Sequence, residues 1–353
     1  MLRAEQHPAD GAARLPFRAV ATNATTPPLS APDVQARVPA TQVSLSRVGV
    51  TGVEKVIRVK ADGTENLYHA DFECFVDLEP RQAGVHMSRF EEIVGEAIDE
   101  VVLGEAFRAE VLAAHIAQRV RERQDGRRAE VSVTARYPEI ATTPVSGQAT
   151  QEIYVLLGTA VASERGTRTL TGVQAQGMTA CPCAQEMVAE LGRERLAEAG
   201  FDPDQIERAL EAVPVATHNQ RGIGTLYVGC PEGGEAWIDA PELLRIVEGS
   251  MSSEIYELMK RPDELAVVAK AHAQPRFVED CVREMVRRVV EGYSELSGEA
   301  FVMARQENLE TIHRHNVVAE RYGTLEDLRR ELDSGEHQLH HTTVREWLEA
   351  PAP

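Results

Sequence analysis

Cys181-Pro182-Cys183 sets two thiols two residues apart, where a long apolar–polar alternation ends. Proline suits the first position of a helix, where its missing N–H is not needed, so the spacing predicts Cys181 at a helix cap and Cys183 in the first turn. The positive end of a helix favours the thiolate, the form that ligates metal or attacks carbon. C-x-C is not the C-x₂₋₄-C spacing of a closed structural zinc site. The bland alternative is a pair of small hydrophobes at a strand–helix junction. Thr217-His218-Asn219-Gln220-Arg221-Gly222 is the second candidate. It packs an imidazole, two amides and a guanidinium ahead of a strand, with His218 as a metal ligand or simply a solvated loop histidine.

Further candidates are weaker taken singly. Lys260-Arg261-Pro262-Asp263-Glu264 and Phe277-Val278-Glu279-Asp280 carry acids near helix starts, where the dipole alone favours them. Gly84-Val85-His86-Met87-Ser88-Arg89 combines His86 and Arg89 with a helix N-terminus, either an anion site or only a cap. His313 and His315 share one side if the chain there is extended, and His337, His340 and His341 read as a solvated helix face. GxGxxG, GxxxxGK[ST] and G-x-S-x-G are all absent. Gly222-Ile223-Gly224 lacks the third glycine and following helix of a dinucleotide site.

These residues need elements to hold them. Residues 1–32, rich in Ala, Pro and Thr, read as a mobile lead-in. Segments from Val43 to Val59 read as β-rich, broken at Gly49 and Gly52; Phe72, Cys74, Val76 and Leu78 then alternate with Asp71, Glu73 and Asp77 as a half-buried strand. Ser88 with Glu91 predicts a capping box opening an amphipathic helix to Val102, and a second helix runs from Phe107 to Val120 after Gly104. Val131, Val133, Ala135 and Tyr137 predict a strand; 152–163 and 167–179 predict a long hairpin around Glu164-Arg165-Gly166. Beyond the cysteines, the charged stretch from Leu191 to Ala212 reads as two short exposed helices. A strand at 222–230, helices at 241–250 and 275–291, a strand near Phe301 and two polar terminal helices from Thr324 to Leu348 complete the order. Hairpins followed by helix pairs, twice over, predict an α+β fold with an antiparallel sheet and helices on one face.

Composition narrows the function. The chain has 353 residues, 37 basic against 56 acidic side chains, and a formal charge of −19. A generic binder of nucleic acid or anionic membrane would be basic, so neither partner is expected. Five cysteines, few and odd in number, argue for a reducing compartment over a disulfide scaffold. With no secretory leader or membrane span legible, the expected location is cytoplasmic.

Seven segments, in order across 33–320, resemble one family, GTP cyclohydrolase type IB, the second form of GTP cyclohydrolase I. They are Asp33-Val34-Gln35 with Val48-Gly49-Val50, the Gly84–Arg89 segment, Met178 to Cys183, His218-Asn219-Gln220-Arg221, Leu258 to Glu264, Pro275 to Asp280, and Thr311-Ile312-His313. The resemblance implies tandem tunnelling-fold modules, antiparallel sheets with helices on the outer face, assembled into a homo-oligomeric barrel with a tetramer as the expected size. The modules fall at 33–145 and 146–322, with a helical insert at 185–215 and a C-terminal helical tail at 323–353. It also implies conversion of GTP and water to 7,8-dihydroneopterin triphosphate and formate, the entry step to folate-type pterins.

The implied metal ligands are Cys181, His218 and Glu264, holding a divalent metal (Zn, Mn or Fe, since mixed soft and hard donors do not fix the choice) that activates water for attack at guanine C8. Cys181, Cys183, His86 and His313 are the implied catalytic groups. Glu279 is the implied guanine anchor, accepting from N1–H and the exocyclic amine. Ser88, Arg89, Arg221, Lys260 and Arg261 are the implied substrate contacts. Ala184 stands where the family usually has serine, and the 184–217 interval and the Gly233-Gly234-Glu235-Ala236 region are extended. The competing readings are a nitrile reductase of the same superfamily, using one nucleophilic cysteine and NADPH, and a non-catalytic metal-binding protein.

Overall fold

Apolar residues recurring at every second position build the sheet that carries the whole chain. In the computed structural model, which describes residues 33–61, 64–101, 108–231, 238–336 and 338–350, Phe72, Cys74, Val76 and Leu78 are buried along β2 (Thr64–Leu78) while Glu73 is exposed. The expected lead-in at 1–32, Gly104, Phe107, the 233–236 region and His337 lie outside the described residues. β1 (Leu45–Ala61) pairs with β2 without the expected breaks: the register slips between Leu45 and Val48 and again between Val50 and Val53. Glycine permits this. Gly52 has φ 67°, and a Cβ on Gly49 would lie 1.8 Å from the Cys74 carbonyl oxygen.

The chain continues through α1 (Met87–Val101), α2 (Ala109–Arg123), β3 (Arg128–Thr142), β4 (Ala149–Ser163) and β5 (Gly166–Ala180). α1 starts at Met87, so Ser88 lies inside the first turn instead of capping it, and Glu91 bonds Lys55 Nζ across to β1 at 2.9 Å. Then come α3 (Pro182–Glu198), α4 (Pro203–Ala212), β6 (Asn219–Cys230), α5 (Ala240–Gly249), β7 (Ser253–Glu254), α6 (Arg261–Ala273) and α7 (Val278–Gly292). β8 (Phe301–Leu309), β9 (Val317–Thr324), α8 (Leu325–Ser334) and α9 (Val344–Glu349) end it. The charged stretch expected as two short helices is instead the continuation of the cysteine helix α3, followed by α4. α6 and β9 had no clear sequence signal: Leu265 and Val268 of α6 face solvent, and β9 is a short edge strand.

Every strand pair is antiparallel, in the order β1-β2-β3-β4-β5-β6-β8-β9, with β7 paired to β5. Helices α1, α2, α5 and α7 cover one face, and a single buried cluster runs beneath them from Ile57 to Leu328. The expected boundary at 145/146 falls inside the β3–β4 hairpin, whose last pair is Thr142–Ala149. Helices do not all lie on one face. Trp347 of α9 packs with Val161, Leu170 and Phe301, whose neighbours Ala160, Ala162 and Val302 point to the main core. The terminal helices are therefore amphipathic and not simply polar: Leu325, Leu328, Trp347 and Leu348 are buried. His340 and His341 sit between α8 and α9 instead of on a helix face.

Candidate active site

Strand register brings the two strongest motifs together. The β5–β6 ladder ends at Ala180 opposite Asn219, so Cys181 and His218 are the next residues across, and Cys181 N–H donates to the His218 carbonyl at 3.1 Å. Cys181 caps α3 with Pro182 at the first position, as the spacing predicted, and its sulfur accepts from Ala184 N–H at 3.4 Å. Thr217 Oγ1 ties the same turn by donating to the Cys181 carbonyl at 2.8 Å. The polar segment is not a loop ahead of the strand: Asn219, Gln220 and Arg221 are already in β6, with Gln220 buried and Arg221 exposed on the opposite face.

β8 lies against the other side of β6, with Arg221 opposite Leu309 and Gly222 opposite Asn308. Period-two geometry then puts Cys181 and Thr179, His218 and Gln220, and Asn308 and Glu310 on one face of three adjacent strands. Glycines make room for that row. A Cβ on Gly222 would come within 2.3 Å of Gln306 Nε2, so Gly222-Ile223-Gly224 serves close packing, not a nucleotide loop. Arg276 closes the wall: its N–H donates to the Ala180 carbonyl at 3.0 Å, and its guanidinium to the Gly249 and Ser250 carbonyls.

The result is a cleft of about 260 Å³ lined by Cys181, His218, Gln220, Arg276, Phe277, Glu279, Asn308, Glu310, His313 and His315. His218 Nδ1 lies 3.1 Å from Gln220 Oε1 and 3.9 Å from Glu310 Oε2. His313 and His315 stack at 5.1 Å between centroids; the chain at 311–315 bends and is not the extended segment on which the same-side expectation rested. Glu279 stands exposed in the first turn of α7. Among the predicted residues, Cys181, His218, Glu279 and His313 thus converge, with Cys183 exposed in the first turn of α3.

The others do not reach this cleft within one chain. His86 faces Asp33 at 3.3 Å and Arg89 donates to the Arg123 carbonyl, with Ser88 beside them on α1. Lys260, Arg261 and Glu264 are exposed at the start of α6. Their neighbour Asp263 is the buried one: burial would raise its carboxyl, but donation from Ser146 Oγ and from the Ser146, Lys260 and Val145 N–H groups outweighs it and holds the group well below the usual range. Asp263 thereby fastens the β3–β4 turn to α6. Cys74 and Cys281 are buried and their thiols pushed up to about 12, chiefly by burial, which removes them as nucleophiles.

Sequence reasoning missed Glu310, Asn308 and Arg276 as part of the wall. The alternation of β8 carried the signal for the first two, since 306, 308 and 310 must share a face.

Thiol, imidazole and carboxylate thus share one cleft, side-chain types that can bind a metal or move protons. Residues 31–319 match the family of type I GTP cyclohydrolase folE2, and the chain belongs to that family. It is 42% identical over 308 residues to GTP cyclohydrolase MptA of Methanothermobacter thermautotrophicus, covering 86% of this chain and 96% of the relative. It is 40% identical to the GTP cyclohydrolase MptA of Methanocaldococcus jannaschii, covering 86% and 98%. Among solved structures, uricase from Arthrobacter globiformis aligns over 85% of this chain and 98% of its own, with 11% identity and a TM-score of 0.47. No helix among the described residues is long and apolar enough to cross a membrane.

Proposed function

We propose that this chain hydrolyses the imidazole ring of GTP, releasing formate and forming 7,8-dihydroneopterin triphosphate, the entry step to folate-type pterins. The observation that carries the reading is the direct backbone pairing of Cys181 with His218 inside one cleft, in a chain of the GTP cyclohydrolase family.

A divalent metal (Zn, Mn or Fe) fits the donor set at that pairing, and when bound it would supply the Lewis acidity that makes water nucleophilic near neutral pH. Cys181 offers a half-buried sulfur and His218 a ring nitrogen. Among the described residues no three Cys, His, Asp or Glu side chains form a ready-made cage. Glu264, exposed on α6, is the proposed third ligand, delivered in the assembled protein. Glu279 anchors guanine through N1–H and the exocyclic amine. His313 moves protons during loss of the formyl group, and Cys183 serves as a further thiol beside the ring.

The tandem-module architecture is part of this proposal. Two hairpins around a helix pair, β1-β2-α1-α2-β3-β4, are followed by a second set of strands and helices from β5 to β9, an order that supports two tandem modules. β1 and β9 are the outermost strands, and neither of their outer edges is paired among the described residues. Edge-to-edge pairing into a homo-oligomeric barrel, a tetramer, closes them and brings His86, Ser88, Arg89, Lys260 and Arg261 of other copies to the phosphates. A cytoplasmic location accompanies this reading.

Purified protein incubated with GTP, with chelator or with added Mn²⁺, Zn²⁺ or Fe²⁺, should release formate and a pterin fluorescent after oxidation, in a metal-dependent manner. Absence of formate under every metal would end the proposal.

A further inference from the structure

His218 is held through one ring nitrogen. The Gln220 side-chain oxygen lies 3.1 Å from Nδ1, and because an amide oxygen accepts only, this contact favours the tautomer protonated on Nδ1, with the Nε2 lone pair directed to a ligand. A second acceptor waits on the same side. Glu310 Oε2 lies 3.9 Å from Nδ1, just outside hydrogen-bonding reach, and the Glu310 side chain is only 6% exposed. Oε2 has no hydrogen-bond partner among the described residues. The neighbouring Thr311 hydroxyl donates elsewhere, to the Asn219 carbonyl at 3.1 Å. A buried carboxylate oxygen left unpaired opposes folding. Glu310 directly follows the last residue of β8.

We propose that Glu310 is a positioning residue for His218. Once the ring is engaged through Nε2, Nδ1–H becomes a stronger donor, and the carboxylate, a stronger acceptor than an amide, takes it. Gln220 holds the same tautomer when Nε2 is free. The pair would orient the imidazole and raise its basicity as a ligand, the role that outer carboxylates play behind metal-bound histidines. This deepens the cyclohydrolase reading and rests on its metal.

The test uses the full chain, stripped of metal, as wild type, Glu310→Gln and Glu310→Asp. Each is titrated with Co²⁺ against a chromophoric chelator, with the thiolate and ligand-field bands recorded, and each metal-free form is melted. Glu310→Gln should weaken Co²⁺ binding about 10–100-fold and shift the bands, while its metal-free melting stays level or rises because the unpaired charge is gone. Glu310→Asp should recover part of the affinity. Wild-type affinity and spectrum in Glu310→Gln would overturn the inference alone, as would a metal-free melting point that falls in step with affinity, which marks a structural role. A wild-type chain that binds no Co²⁺ and releases no formate would overturn the metal-dependent reading, and this inference with it.

Discussion

Glu279 illustrates how little a side chain's type discloses without its neighbours. In the sequence it is one of two adjacent acids in a helix's first turn, where the dipole explains both. In the structure its partner Asp280 caps α7, accepting from Phe277 N–H at 3.0 Å, whereas Glu279 is turned into the cleft that holds Cys181 and His218. Asp280 is local chemistry; Glu279 is free for a ligand. A charged acceptor facing two ring donors contributes roughly 1.5–3 kcal/mol per bond. Glu279→Gln should therefore lower kcat/KM for GTP about 10–100-fold. The loss should be smaller for inosine triphosphate, which lacks the exocyclic amine. Steady-state kinetics on the two nucleotides check this, and an equal loss on both would remove Glu279 from guanine recognition.

Elements were legible where a periodicity served only one purpose. The half-buried β2, the β4–β5 hairpin and the apolar stripe of α7 all follow from alternation or helical spacing. The boundary of β6 did not, because Gln220 is a polar residue buried for the site's sake, and a core entrance made of amides reads as loop. α6 was hidden because its buried side is narrow, Val267 and Ala271 in line with Asp263, and the strongest tie is the polar one at Asp263. A similar polar tie joins α5 to β4, where Tyr154 OH donates to Glu248 Oε1 at 2.7 Å. Burial pushes the Glu248 carboxyl up to about 7, with the charges of Glu254, Glu139 and Glu152 adding to it and the Tyr154 bond opposing. The folded state thus holds a proton that the unfolded chain releases near the ordinary glutamate value. Stability from this group is full below that value, falls as pH rises, and is lost above about 7. Glu248→Gln keeps an acceptor for Tyr154 and removes the charge. Its melting temperature should match wild type near pH 4.5 and exceed it by a few degrees at pH 8. A difference between the two that does not change with pH would contradict the assignment.

Net charge and the chemistry of a triphosphate site pull in opposite directions on this chain. The 185–215 insert carries eight acids against three arginines, so part of the −19 sits on an exposed helix pair, where Arg193 alone pairs with Glu186, Glu190 and Glu207. Yet the cleft is not rich in free cations. Arg276 is its one guanidinium among the described residues, and that group is engaged by two carbonyls. Arg89, Arg221, Lys260 and Arg261 lie elsewhere on the same chain, as do His86 and Ser88. A triphosphate needs several cations, and the outer edges of β1 and β9, unpaired among the described residues, offer the route by which another copy can supply them. Complementation follows from that geometry. If the proposed assembly shares its site between copies, His86→Ala and Cys181→Ala each remove one half of it, so each expressed alone should lose at least about 100-fold in rate, the scale on which proton-transfer groups act. Co-expressed under two different tags and purified through both, mixed oligomers should regain a measurable fraction of formate release, because some sites receive an intact half from each partner. Mixed oligomers that form but stay inactive would refute sharing, and so would a fully active monomer.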